Sequence, residues 1–467
     1  MAKHVKATTI ATLKRSGYTV DSVREELRRN LIKKLSQGEI IFPGIVGYED
    51  TVGPQMENAI LSGQDLILLG ERGQAKSRLL RGLVSLLDEE IPYIAGCEIY
   101  DNPYEPICRA CRDKVAHDGG KVAIDWLSRE ERYSERLATP DISLADLIGE
   151  VDPIKVAEGR YLADELTIHY GLIPRTNRGI FCINELPDLP ERIQVGMFNL
   201  LEERDIQIKG YRIRLPLDIL VVATANPEDY TNRGRIITPL KDRYGSQIRT
   251  HYPRLLEQEI YITEQERTRF SDMEEQVFVP DYMKEIIAEF TALARQSPEI
   301  NQRSGVSVRV SIANQETLMA ASLRRAIQLK EHRSSPRISD LGAIIASTAG
   351  KIELETTEEG REIKVIEELT KKAILNTFGR YFNVQDFEDA LKIFDEGLFV
   401  ETGPGIPSSL YEDTLERVGG LGDVMERLQA TGTPCLVASA VEFILEGLHL
   451  NRRLNRERSE GKFRYRG

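Results

Sequence analysis

Apolar positions along this chain fall into two patterns. Short, mostly apolar runs stand at 66–69, 180–183 and 217–225, which is how strands buried on both faces of a parallel sheet read. Each run ends in glycine or polar residues: Gly70, then Asn184 and Glu185, then Asn226. Residues 92–97 read as a further strand, and 205–215 alternates around Lys209 and Gly210 as a hairpin does. Elsewhere apolar residues recur every three or four positions. Helices are predicted over 23–35, opened by Ser22 and Glu25 at capping-box spacing, and over 52–61, 77–87 and 195–202. More follow at 260–270, 281–294, 311–329, 340–347 and 365–377. The segment 98–138 reads as long and irregular, and the strand signal fades after about residue 255. The reading divides the chain into a helical lead-in (1–40), an α/β core (41–255) with a cysteine-bearing insertion near 97–138, a helical region (256–377) and a helical C-terminal region (378–467). The last 17 residues hold seven Lys or Arg and two Glu and are expected to be a solvated end.

Candidate chemistry sits where the apolar runs stop. Gly70-Glu71-Arg72-Gly73-Gln74-Ala75-Lys76-Ser77 follows the first run and precedes a helix. A strand, loop and helix in that order aim backbone N–H groups at one point, where a phosphate is stabilised. Lys76 would reach the terminal phosphates and Ser77 would ligate Mg²⁺. Ala75 stands where the general pattern has glycine, and its Cβ is awkward if the backbone there needs φ > 0. At the second run, Asn184 occupies the place of a Mg²⁺-shell aspartate, reaching the ion through water, and Glu185 can polarise an attacking water. The turn Ile45-Val46-Gly47 ahead of the loop is a candidate lining for an adenine. Cys108 and Cys111 are separated by two residues, the gap that lets two thiolates hold one tetrahedral ion. With Cys97, and with His117 as a fourth ligand, they would make a zinc site; the alternative is free thiols on an insertion.

Composition narrows the setting. At 467 residues, 41% hydrophobic and 29% charged, the chain has the make-up of a globular protein of several domains. No apolar run is long enough to span a membrane, and the N-terminal residues do not have the form of a secretory signal. Five cysteines do not make a disulfide framework in so long a chain and favour a reducing cytoplasm. A net charge of −12 argues against general binding to nucleic acid.

Taken together, these stretches resemble the AAA+ ATPases of the MoxR and magnesium-chelatase I-subunit group over roughly residues 41–330. The loop ending in Ala75-Lys76-Ser77 matches the MoxR form. The approach from Gly171 through Asn177-Arg178-Gly179 to Asn184-Glu185 resembles Walker B, with Asn184 departing from the usual Asp. Ala223-Thr224-Ala225-Asn226 resembles sensor 1, Leu240-Lys241-Asp242-Arg243 the arginine-finger segment, and Gly305-Val306-Ser307-Val308-Arg309 sensor 2, with Val308 where proline is usual. The resemblance implies an αβα P-loop core with a mostly parallel sheet, followed by an all-helical lid. It also implies a ring, usually hexameric. Lys76, Ser77, Asn184, Glu185, Asn226 and Arg309 would act from one protomer and Arg243 from its neighbour. ATP and Mg²⁺ are the implied cofactors. The implied activity is ATP hydrolysis, slowed by Asn184, that remodels a separate partner protein, for instance one carrying a von Willebrand A domain. Two other functions fit the same residues: the ATPase subunit of a metal chelatase, and a nucleotide-dependent scaffold with little hydrolysis.

Overall fold

A computed structural model describes residues 6–152, 165–207, 214–226, 235–302, 304–355, 360–419, 421–459 and 461–467. The chain folds as two units, Met1–His251 and Tyr252–Gly467, each with its own core.

The first unit opens with helices α1 (Ile10–Arg15), α2 (Val23–Ser36) and α3 (Val52–Leu61). Ser22 and Glu25 cap α2 reciprocally, as their spacing implies. Then come β1 (Leu66–Leu69), α4 (Lys76–Gly82), β2 (Glu90–Ile94), α5 (Arg109–Asp118), β3 (Ile124–Ser128) and β4 (Tyr133–Leu137). The remaining strands of the unit are β5 (Gly149–Val151), β6 (Ile168–Tyr170), β7 (Gly179–Asn184), β8 (Asp205–Gln207), β9 (Arg214–Pro216), β10 (Ile219–Ala225) and β11 (Ser246–Arg249). The central sheet has the order β11-β1-β10-β7-β4, and every pair in it is parallel.

The three apolar runs form the middle of this sheet, β1, β10 and β7. Alternate residues feed two cores: Ile67, Phe181, Ile183 and Val221 on one face, Leu66, Leu68, Ile180 and Val222 on the other. This is the αβα sandwich that the resemblance implies. The edges differ from the sequence reading. The expected strand at 92–97 is β2, and it pairs antiparallel with β3 outside the central sheet. The place beside β7 is taken by β4, Tyr-Ser-Glu-Arg-Leu, inside the segment read as irregular. An edge strand half open to solvent needs no apolar run, so β4 and β11 leave no hydrophobic signal. β8 and β9 form the expected hairpin, whose turn with Lys209 and Gly210 lies outside the described residues.

One buried ion pair ties the lead-in helix to the sheet. Arg132, just before β4, donates from Nη1 and Nη2 to Glu26 of α2 at 2.7 and 2.5 Å, and both side chains are almost wholly buried. Its Nε donates to the Arg178 carbonyl at 2.8 Å, one residue ahead of β7.

The second unit is mainly helical, with long helices at Asp281–Ala294, Arg309–Leu329, Arg361–Tyr381 and Pro434–Leu450 around one core. Pro434–Leu450 is buried on nearly every side. At Gly447 it passes so close to Phe378 that an added Cβ would lie 2.0 Å from the ring. The basic end is not a solvated tail. It forms β13 (Asn455–Ser459) and β14 (Lys462–Arg466), which pair antiparallel beside β12 (Phe399–Thr402). Tyr465 turns inward and donates to Glu446 at 2.6 Å, where Arg456 also donates. Arg464 pairs outward with Glu401. Alternation sends the aromatic residue in and the charges out, so charge counting alone read the stretch as loose.

Removing one member of the Glu26–Arg132 pair strands the other as a buried charge. Glu26→Gln or Arg132→Met is therefore expected to cost about 3–5 kcal/mol in urea unfolding of the full chain, and the apolar double replacement Glu26→Leu with Arg132→Met markedly less than the sum.

Candidate functional site

The loop after β1 closes on itself around Lys76. The Lys76 ammonium donates to the carbonyls of Gly70 (2.5 Å) and Glu71 (2.7 Å) and to Asn226 Oδ1 (2.7 Å). Gln74 braces the loop from inside: its Oε1 accepts from the Glu71 N–H at 3.1 Å and from the Thr250 hydroxyl at 2.6 Å. Gly70 has no room for a side chain, since a Cβ there would fall 1.9 Å from Thr250 Oγ1 and 2.2 Å from Gln74 Oε1. Ala75 does adopt the left-handed conformation, at φ 54° and ψ 17°, directly before α4. The sequence concern about its Cβ therefore describes a real strain.

The ends of β7 and β10 meet this loop. Asn184 Oδ1 accepts from the hydroxyls of Ser77 (3.2 Å) and Thr224 (3.1 Å). Asn184 Nδ2 donates to Glu135 Oε1 on the neighbouring strand β4. Register explains the contact: Asn184 lies opposite Leu137 and Cys182 opposite Glu135, so Glu135 is the diagonal neighbour of Asn184. Glu135 also takes a two-pronged ion pair from Arg81 of α4, at 2.6 and 2.8 Å. Burial alone would raise this carboxyl, but the Arg81 hydrogen bonds and charge, with the Asn184 amide, hold it below the usual range. Glu185 sits just beyond β7 at φ 55°, its N–H given to Thr224 Oγ1 at 3.0 Å. That turn directs the residue after Asn184 away from the run of the strand.

Thus Lys76, Ser77, Asn184, Glu185 and Asn226 come together at the C-terminal ends of β1, β7 and β10, where open α/β sheets bind ligands. The donor set fits a Mg²⁺-nucleotide. A lysine meanwhile held by three oxygens is able to turn to phosphate, and a hydroxyl and an amide oxygen face one another for a hard cation. The turn Ile45-Val46-Gly47 reaches the loop through its neighbour Tyr48, whose hydroxyl donates to the carbonyls of Gln74 (3.0 Å) and His251 (2.7 Å). Burial pushes the Tyr48 phenol up to about 12, so it remains a donor. Arg243 lies apart from this cluster, paired with Glu202 at 2.6 Å and stacked on Phe198. Asp242, its neighbour in sequence, is not the partner it takes. Arg309 begins a helix of the second unit and receives an N-terminal turn from Ser307, whose Oγ accepts its N–H at 3.2 Å. Sequence reading gave no role to Tyr48, Arg81, Glu135 or Thr250, and none to Thr224 beyond its place in the sensor-1 stretch. Strand register places Glu135 and Thr224, whereas Tyr48, Arg81 and Thr250 are brought in by a turn, a helix and a strand end, and no spacing rule reveals any of them.

A second cluster lies in the same unit. Cys97, Asp101, Cys108 and Cys111 are all buried, and their ligand atoms lie within 4.8 Å of one another. His117 is not among them. It sits at the far end of α5, exposed, with Nδ1 on Asp118 at 2.7 Å. The place expected of His117 is taken by Asp101. Hydrogen bonding from Cys108 and Cys111 holds the Cys97 thiol well below its ordinary range, while burial and the Cys97 charge push Asp101 up to about 6.

No family model matches the chain. Similar curated proteins exist. The magnesium-chelatase subunit ChlI of Nostoc sp. is 24% identical over 381 residues, covering 76% of this chain and 93% of that protein. The magnesium-chelatase 38 kDa subunit of Rhodobacter capsulatus is 26% identical over 244 residues, 50% of this chain and 61% of that one. A ChlI homolog of Methanocaldococcus jannaschii is 27% identical over 210 residues, 44% and 53% of the two chains. Among solved structures, a model of the complex between BchI and BchD of magnesium chelatase aligns over 71% of this chain and 99% of its own, at 19% identity and a TM-score of 0.36. NtrX from Brucella abortus aligns over 75% and 67%, at 16% identity and a TM-score of 0.39.

The left-handed backbone at Ala75 yields a direct test. Glycine removes the Cβ clash, worth about 1–2 kcal/mol, and gives back part of it as unfolded-chain entropy, about 0.5–1 kcal/mol. Ala75→Gly is expected to raise the thermal midpoint slightly; a fall would show that the loop is not strained there.

Proposed function

We propose that this chain, an AAA+ ATPase similar to the magnesium-chelatase I subunits, hydrolyses ATP within a ring and uses the resulting movement to remodel or activate a separate partner protein. The carrying observation is a pair of hydrogen bonds that join the loop to the two strand ends, Lys76 to Asn226 and Ser77 to Asn184, with Glu185 next after Asn184 in the chain. Lys76 would leave its carbonyl partners for the terminal phosphates, Asn226 would orient the γ-phosphate, and Glu185 would take a proton from the attacking water. Mg²⁺, when bound, neutralises charge on the phosphates, and Ser77 and Asn184 would hold it, Asn184 through water. Arg309 would act as sensor 2. Arg243, whose hydrogen bonds go to Glu202 and the Pro239 carbonyl, would be the arginine supplied to a neighbouring protomer's nucleotide in a ring; a hexamer is the size we propose. ATP lies, in this reading, between Ile45-Val46-Gly47 and the loop.

Asn184 has lost the charge an aspartate would bring, and Glu135 makes part of it good. Its carboxylate accepts from Asn184 Nδ2. That polarises the amide and enriches the Oδ1 that faces Ser77. The enzyme is therefore a slow ATPase rather than a scaffold that only binds. The names of the relatives support a second reading, the ATPase subunit of a chelatase inserting a metal into a porphyrin. It needs companion subunits and a tetrapyrrole, and a reconstitution that inserts no metal while ATP is hydrolysed would favour the motor. A partner with a von Willebrand A domain suits either reading. Among the described residues no helix is long and apolar enough to cross a membrane. None of the five cysteines is in a disulfide, which suits a reducing cytoplasm. Zinc takes no part in this chemistry.

Lys76→Ala is expected to abolish binding of a fluorescent ATP analogue. Glu185→Gln should keep binding and stop phosphate release, and this trap should retain a client in pull-downs. Wild-type protein that releases no phosphate under ring-forming conditions would sink the enzyme reading.

Glu135→Gln should raise the Mg²⁺ concentration for half-maximal ATPase about tenfold, the worth of a charge-assisted hydrogen bond of ~1.5 kcal/mol. In an Asn184→Asp background the same change should cost nothing, because the introduced aspartate carries its own charge and faces Glu135 as a like one. Equal effects in both backgrounds would mean that Glu135 serves only Arg81.

A further inference from the structure

We infer that Cys97, Asp101, Cys108 and Cys111 form a structural zinc centre, with Asp101 as the fourth ligand. Three thiols and one carboxyl, all buried, come from two turns: Cys97 and Asp101 after β2, Cys108 and Cys111 at the start of α5. Tetrahedral zinc with sulfur bonds of about 2.3 Å sets its ligands about 3.7 Å apart. Four atoms within 4.8 Å of one another reach that arrangement by side-chain rotation of about an ångström or less.

Asp101 is the independent pointer to a cation. It is completely buried. Its Oδ2 accepts from the Cys108 N–H at 3.0 Å, but its Oδ1 has no hydrogen-bond partner. A carboxylate oxygen left bare in the interior is costly, and a metal in the middle of the cluster satisfies it. The sulfurs are prepared in the same way. The Asp101 N–H points at Cys97 Sγ and the Cys111 N–H at Cys108 Sγ, each at 3.4 Å. N–H groups aimed at sulfur stabilise thiolates, and Cys108 as N-cap places its sulfur at the positive end of α5. On binding, whichever thiols are still protonated release their protons to solvent, and three thiolates and a carboxylate surround Zn²⁺ with a net charge of −2. A cavity of about 170 Å³ lined by Cys97, Cys108, Cys111, Lys114, Glu165 and Tyr170 gives the ion a way in.

The fold shows what such an ion would hold. Apart from the three cysteines, the local core has only six buried hydrophobic residues among those described: Ile10, Leu13, Ile94, Ile99, Val122 and Ile124. So small a core is the kind that proteins staple with a metal. The stapled loop is gripped from β7's side. Asn177 Nδ2 donates to the Ile99 carbonyl at 3.1 Å and Arg178 Nη1 to the Pro92 carbonyl at 2.7 Å, immediately before the strand that carries Asn184. The centre thus buttresses the entry to β7, not the ligand-facing end.

The test uses the full chain, purified without chelator. Metal analysis should find about one zinc per chain, released by a mercurial that blocks thiolates. Cobalt added to stripped protein should give thiolate-to-cobalt charge transfer and tetrahedral visible bands. Cys108→Ser should lose the metal, and Asp101→Ala should bind at least about tenfold more weakly in chelator competition. His117→Ala should match the wild type. Wild-type protein with neither zinc nor a thiolate–cobalt spectrum overturns the centre, as does a disulfide among these cysteines under reducing conditions. Undiminished affinity in Asp101→Ala overturns the ligand set. Should a variant fail to fold, the wild-type stoichiometry and cobalt spectrum decide. ATP-analogue binding, read separately through Lys76, keeps failure of the metal centre distinct from failure of the nucleotide site.

Discussion

Parallel pairing of β10 between β1 and β7 is the constraint on which the candidate site depends. Parallel strands end at the same side of a sheet, and here three of them end in residues that need one another. β1 runs into the loop of Lys76, β7 into Asn184 and Glu185, β10 into Asn226. A slip of one residue in either pairing would turn these side chains to the opposite face. The alternation of the two cores forbids the slip, because Ile67 and Leu68, or Ile180 and Phe181, would have to exchange environments. Packing that looks purely structural therefore sets the chemistry to within a hydrogen bond.

The site is held ready by polar contacts that a ligand would replace. Lys76 is satisfied by two carbonyls and an amide oxygen. An unpartnered lysine so nearly buried would instead be pushed toward neutrality. The same economy explains Gln74 and Tyr48, which satisfy groups of the loop backbone, and Thr250, which fixes the Gln74 side chain. Strain enters at Ala75, where a left-handed residue is accepted because the surrounding loop determines it.

How far the residues alone revealed this follows from what each element buries. β1, β7 and β10 were plain because strands covered on both faces have to be apolar. β4 and β11 were not, since an edge strand carries Ser, Glu, Gln and Arg without cost. The loop of Lys76 was plain because its residues are contiguous in sequence. Glu135 was hidden because its relation to Asn184 is diagonal across two strands 49 residues apart. The cysteines announced themselves by spacing, yet the fourth member did not. His117 lies six residues past Cys111 on α5, about 240° around the helix at about 100° per residue, and so faces elsewhere. Asp101 is one acid among many until the fold buries it.

Asn184 is where sequence and structure together say more than either. In sequence it is a lost carboxylate, and a motor that has lost it ought to be impaired. In the structure the amide is a bridge: it takes hydroxyls from Ser77 and Thr224 on its oxygen and gives its nitrogen to Glu135. The negative charge has moved one strand outward and one side chain away from the position a metal would occupy. Coulomb attraction falls with distance, and Arg81 shares the same carboxylate. The compensation is therefore partial. An aspartate at position 184 would bring full charge to the ion but would set two carboxylates in contact across β4 and β7. The amide avoids that repulsion, and the arrangement gives up charge at position 184 for a strand edge that Arg81, Glu135 and Asn184 hold together.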